Sequence, residues 1–241
     1  MIHWIVVKNE EEMSDRAAEL LLARLAATPT MTLGLATGST PVGMYRRLVA
    51  AYRAGRADFS QVKSFNLDEY YPIAKGDAQS YDSFMRENLF SHVNIRPENI
   101  HIPNGEVPDP QAEVEAYEAA LAENGYVDLQ VLGIGQNGHI GFNEPADALQ
   151  AATHVTTLTE STVKANARFF ASDADVPRHA LTMGMGSILK AGEILLLATG
   201  AAKAPALRAL RGDDVTCAIP ATFLKLHRNV TVICDEAAYQ G

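Results

Sequence analysis

Short, nearly unbroken apolar runs alternate along this chain with longer stretches whose apolar residues recur every three to four positions. IHWIVV reads as a buried strand. Asn9 then stands where a helix cap belongs, with Glu12 three residues on as its capping-box partner. Met13, Ala17, Leu20, Leu21 and Leu25 fall on one face of that helix. MTLGLAT is a second strand. GSTP closes it, and Pro41 is expected at the first helical position of VGMYRRLVAAYR. VKSFNLDEY reads as one strand ending in acids, and SYDSFMRENLF as a helix. Asp109 and Pro110 open a further helix, which Gly125 stops. VDLQVLGIG is apolar on both faces, as a strand inside a parallel sheet must be. The strands HALTMG, EILLLATG and NVTVICD follow, with the helix AKAPALRALRG between the last two.

Strand–helix alternation with non-alternating strands implies an α/β fold built on a mostly parallel sheet. No internal repeat or linker-like shift in composition interrupts the pattern, so one doubly wound domain is expected over residues 1–241. The least regular piece runs from about His154 to Met183. It mixes a short strand, a helix and a loop containing Pro177, and a lid is expected there.

Composition narrows the functional classes. The net charge of −9 disfavours nucleic acid as a partner, because phosphate backbones attract basic faces. A small phosphorylated ligand stays compatible, since one phosphate needs only a few cations and backbone N–H groups. Cys217 and Cys234 form neither a disulfide scaffold nor a metal-ligand spacing, so two thiols in a reducing compartment are expected. The N-terminus lacks the basic start and cleavage site of a signal peptide, and no apolar run approaches a membrane span. A cytoplasmic protein is the expectation.

In open α/β sheets ligands bind beyond the carboxyl ends of the strands. Three strand ends carry unusual residues. The turn Thr37, Gly38, Ser39, Thr40 is made of small residues and opens a helix, so its N–H groups and the helix dipole suit an anion. It is not a Walker A motif. Asp68 and Glu69 close an apolar strand. If the strand persists they point to opposite sides, one into the cleft as a general base and the other to backbone or a cation. The third end is GIGQNGHIGFNEP, which contains a literal GxGxxG in Gly133, Gly135 and Gly138. A dinucleotide fingerprint needs a long helix after its glycines, and HIGFNEP lacks the period of one. The glycines read better as the floor of a pocket where a ligand approaches the backbone. His139 enters it as a proton shuttle near neutral pH, with Glu144 close behind. Two cations, Arg168 in the expected lid and Lys203 at a helix start, could neutralise a bound anion.

GIGQNGHIGFNEP, FNLDEYYP, ATGSTP and ANARFF, in their order along nearly the whole chain, resemble the glucosamine-6-phosphate deaminase family, also called glucosamine-6-phosphate isomerases. The resemblance implies a Rossmann-like domain without metal or redox cofactor. It implies conversion of glucosamine 6-phosphate and water to fructose 6-phosphate and ammonium. By position, His139 would open the pyranose ring, Asp68 would move a proton between C2 and C1, and Glu144 would join His139. Gly38, Ser39, Thr40, Arg168 and Lys203, beside Thr37, match the family's phosphate-binding set.

Many members carry Asp where this chain has Asn137, and Asn137 is expected to accept a hydrogen bond from the imidazole through its amide oxygen. Longer members have a C-terminal extension and basic effector residues where this chain has His154 and Thr156. A non-allosteric monomer or small homo-oligomer is therefore expected. Three alternatives stand beside this one: 6-phosphogluconolactonase, a deaminase of the epimer galactosamine 6-phosphate, and a non-catalytic sugar-phosphate sensor.

Overall fold

The structure, a computed structural model, describes residues 2–166, 170 and 176–240. It opens with strand β1 (Ile2–Val7) and helix α1 (Glu10–Ala27). Asn9 caps α1 as expected, accepting from the Glu12 N–H at 3.0 Å, while Glu12 reaches back to the Lys8 N–H at 3.0 Å. Strand β2 (Thr32–Leu35) leads into α2 (Val42–Arg53), so Pro41 precedes the helix rather than starting it. Strand β3 (Lys63–Asn66), strand β4 (Asp68–Tyr71) and helix α3 (Tyr81–Asn88) follow. Next come β5 (Ile100–His101), α4 (Pro110–Glu123) and β6 (Leu129–Leu132). Asp109 caps α4, and Gly125 follows it at φ 75°. The chain continues through β7 (His154–Thr157), α5 (Glu160–Asn166), β8 (His179–Thr182), α6 (Met185–Leu189) and β9 (Glu193–Ala198). It finishes with α7 (Ala204–Arg211), β10 (Val230–Asp235) and α8 (Glu236–Gln240).

Seven strands form one parallel sheet in the order β1-β10-β9-β6-β2-β3-β5. The inner strands are apolar on both sides because both sides are covered, whereas β1, expected to be buried, lies at the edge of the sheet with His3 and Val6 exposed. Leu195, Leu197 and Ile233 pack with α1 and α2, while Leu196, Val232 and Cys234 pack with residues of α4, α6 and α7. From β2 the chain winds outward through β3 to β5, then returns to β6 and winds the other way through β9 to β10. The winding direction thus reverses between β2 and β6, where a doubly wound sheet opens its crevice.

The stretch VKSFNLDEY is two strands, not the single strand its pattern suggests. Leu67 still donates to the Leu35 carbonyl at 3.1 Å, but its own carbonyl accepts from Met183 at 2.8 Å. From that point the chain leaves the large sheet. β4 pairs antiparallel with β8, and β8 with β7, in a second, three-stranded sheet. The apolar pattern conceals the switch because Leu67 and Tyr70 remain buried on either side of it. Over this small sheet Tyr70, Phe142, Leu158 and Val163 form a separate apolar cluster. Among the described residues no helix is long and apolar enough to cross a membrane.

Candidate active site

The segments after β2, β3, β6 and β9 all emerge at the carboxyl edge of the large sheet. After β2, Gly38 sits at φ 90°, a left-handed conformation that glycine takes without strain. Pro41 supplies no side-chain cap to α2, and the first turn of α2 holds no acid. Val42 donates to the Ser39 carbonyl at 3.3 Å, but the N–H groups that follow it and the positive dipole end are available to an anion. After β9, Gly200 donates to both carboxylate oxygens of Asp235 at 3.0 Å, which fixes the start of the segment carrying Lys203. Lys203 is half-buried, without an ion-pair partner among the described residues, and burial lowers its pKa. Only β6 lies between β9 and β2. The strands that lead to these two features therefore lie about 10 Å apart in the sheet. Arg168 lies outside the described residues.

The carboxylates after β3 divide as strand geometry requires. Glu69 turns toward α3 and accepts backbone N–H groups of Tyr70, Tyr81 and Asp82 at 2.9, 2.9 and 3.0 Å. Burial nevertheless raises its pKa to about 7. Asp68 faces the other way, only 6% exposed. Burial, with the Glu69 charge second, pushes it up to about 8. A carboxyl so perturbed, with no cationic partner among the described residues, is poised to take a proton near neutral pH.

The loop after β6 brings the remaining groups to Asp68. No helix follows its glycines before β7, so the arrangement that would seat a dinucleotide pyrophosphate is missing. Only in part do the glycines form the bare floor for a ligand that the sequence suggested. Gly133 borders open space, but the protein's own side chains fill the spaces beside the other three. A Cβ at Gly135 would stand 2.4 Å from the His139 ring, and one at Gly138 would stand 2.5 Å from Ile219. One at Gly141 would meet Thr182 Oγ1 at 3.1 Å and Asp68 Oδ2 at 3.3 Å. Gly135 thus seats the imidazole, and Gly141 lets the loop close on the Asp68 carboxyl.

His139 Nδ1 faces Glu144 Oε1 at 3.3 Å, within ion-pair range for a protonated ring but short of an aligned hydrogen bond. Asn137 does not bond to the imidazole. Its amide oxygen accepts the His139 backbone N–H at 3.2 Å, and its Nδ2 donates to Glu144 Oε2 at 2.7 Å. The acceptor-only carboxylate dictates this orientation, because the amide must offer it the NH₂ end. Burial raises the pKa of Glu144, but His139, Thr162 and Asn137 outweigh it and hold it down to about 2.

Asn137→Asp would replace that donor with a second carboxylate. Two carboxylates so close cannot both ionise easily, so a raised carboxyl pKa, by roughly 1–3 units, is expected at this pair. A ¹³C titration of the Glu144 carboxyl reads this directly; an unchanged curve would remove residue 137 from its surroundings.

Sequence reasoning missed two fasteners. Asn143, 3% exposed, donates to the Ile140 and Met183 carbonyls at 2.9 and 2.8 Å. Thr182, paired with Asp68 across β4 and β8, accepts the Phe142 N–H at 3.2 Å. Together they clamp the loop to the end of the small sheet. Asn143 lies within the singled-out stretch, whereas Thr182 carries no local signal.

A family described as glucosamine-6-phosphate isomerases/6-phosphogluconolactonase matches residues 8–233. The chain belongs to that family. Within it, the chain is 54% identical to a glucosamine-6-phosphate deaminase of Clostridioides difficile (strain 630), over 97% of this chain and 94% of that protein. It is 51% identical to the corresponding deaminase of Thermoanaerobacter sp. (strain X514), over 97% and 92%. A solved structure described as a monomeric glucosamine-6-phosphate deaminase superposes with a TM-score of 0.96 at 41% identity, covering 99% of both chains. A 6-phosphogluconolactonase from Trypanosoma cruzi superposes at 0.82 with 20% identity, over 100% of this chain and 97% of its own, and shares the fold alone.

Proposed function

We propose that the chain is a deaminase that converts glucosamine 6-phosphate and water to fructose 6-phosphate and ammonium. The observation that carries this reading is the placement of Asp68. Its carboxyl is buried, raised to about 8, and set against the loop that bears His139. The reaction needs a base for the proton α to the carbonyl, a shuttle for the ring-oxygen proton, and an anchor for the phosphate.

In the proposed sequence the N-terminus of α2 and Lys203 hold the phosphate. His139, backed by Glu144, moves a proton to the ring oxygen and opens the pyranose. Asp68 then takes the C2 proton while O1 is protonated, which gives the enolamine. Returning the proton at C1 turns the enolamine into an imine at C2, and water adds there and displaces the nitrogen as ammonium. Proton transfer accounts for each step, and the charges develop next to groups already fixed in position.

Ammonium release from glucosamine 6-phosphate, measured beside galactosamine 6-phosphate, tests this reading. The expected result is turnover of the glucosamine sugar with hyperbolic saturation, in keeping with His154 and Thr156 at the effector positions. Release from neither sugar would overturn the proposal. Faster release from the galactosamine sugar would redirect it to the epimer.

A further inference from the structure

Glu144 Oε1 has two neighbours that compete for it. Thr162 Oγ1 donates to it at 2.6 Å, and His139 Nδ1 stands 3.3 Å away without forming a hydrogen bond. Oε2 is already taken by Asn137. Thr162 comes from α5, outside the loop that carries the other three residues. Its neighbour Val163 is buried with Tyr70 and Phe142, and this anchors the turn of helix that presents the hydroxyl.

The direction of the hydroxyl is fixed. An ionised carboxylate only accepts, so Thr162 must donate to Glu144, and its lone pair accepts from Thr159 Oγ1 at 3.0 Å. Each bond in such a chain polarises the next and strengthens the grip on Oε1.

We propose that Thr162 is a positioning residue that holds Glu144 back from His139, keeping the pair close but not hydrogen-bonded and leaving the imidazole free to give up and retake its proton. Resting on the functional reading above, the proposal adds a member to the site. A carboxylate aligned on Nδ1 would stabilise the imidazolium and hold the shuttle in its charged state. Among the described residues, Glu144 faces His139 from its own loop, and Asp68 of β4 lies beside that loop at Gly141. Of these two carboxyls, Glu144 is the one that the Thr162 hydroxyl contacts.

The test is an NMR titration of His139 in the substrate-free protein, on wild type, Thr162→Val and Thr162→Ser. Val matches the shape of Thr and lacks the hydroxyl; Ser keeps the hydroxyl. In the Val variant Oε1 is released toward Nδ1. The His139 midpoint should rise by about one pH unit, a tenfold change in proton affinity. The acid limb of kcat/KM should rise with it, and the Ser variant should titrate as wild type. Thr162→Ala, which removes the hydroxyl without the branched shape, should repeat the Val result. A Val or Ala variant that titrates as wild type would overturn the proposal. So would a Ser variant that shifts as far as Val. The titration needs no turnover, so its outcome stands apart from the ammonium assay on wild type.

Discussion

Asp68→Asn is expected to abolish exchange of the substrate C2 proton with deuterated water, with kcat reduced about 10²–10⁴-fold. KM should change little, because the proposed phosphate anchors lie on other segments. The same variant should be more stable than wild type at alkaline pH, and this separates loss of a base from loss of the fold. The sign follows from the raised pKa. A carboxyl at about 8 in the folded state, against a usual 3.8, contributes stability that is complete below about pH 4 and lost as the pH rises to about 8. Asn does not titrate and escapes that loss. Melting temperatures should therefore diverge in favour of the variant from acid to pH 8 and run parallel above it. Exchange at the wild-type rate would place the base elsewhere.

The second large effect is expected at Lys203. Its ammonium is half-buried at the carboxyl edge, with no counter-charge among the described residues. A hydrogen bond between charged groups is worth about 1.5–3 kcal/mol. Lys203→Ala should accordingly raise KM for the phosphorylated sugar by roughly 10- to 100-fold, with a smaller effect on kcat. The variant should also lose protection of the fold by inorganic phosphate, read as a smaller shift in melting temperature. Because burial lowers the pKa of this lysine, the affinity of wild type should start to fall at a lower pH than for an exposed one. A KM and phosphate response equal to those of wild type would remove Lys203 from the site.

The large sheet was legible because its strands are apolar on both faces and its helix caps are local. Asn9, Asp109 and Gly125 each act within a few residues of where they stand. The switch of sheets at Leu67 was not legible. It depends on a hydrogen bond from Met183, more than a hundred positions along the chain, and leaves no mark on the pattern of burial. In the site, strand alternation alone sends Asp68 and Glu69 to opposite sides, but it does not say which of them faces the cleft. The orientation of Asn137 did not. Sequence spacing placed it near His139, but an amide has two ends, and the carboxylate of Glu144 decides which end faces where. Thr162 was invisible for a similar reason, since nothing around it announces that α5 packs beside Glu144.

Gly135, Gly138 and Gly141 answer to His139, to Ile219, and to Asp68 with Thr182, which belong to four different stretches of chain. The loop after β6 is therefore not a portable cassette. Dinucleotide fingerprints can be recognised in many hosts because their glycines answer mainly to the cofactor and to a neighbouring helix. Here the glycines record the shapes of partners that must travel with them. Recombination that moved this loop without β4, the end of β8 and the segment around Ile219 would carry over the letters of the motif and leave its fit behind. Useful crossovers should fall outside that set, in the covering helices of the sheet.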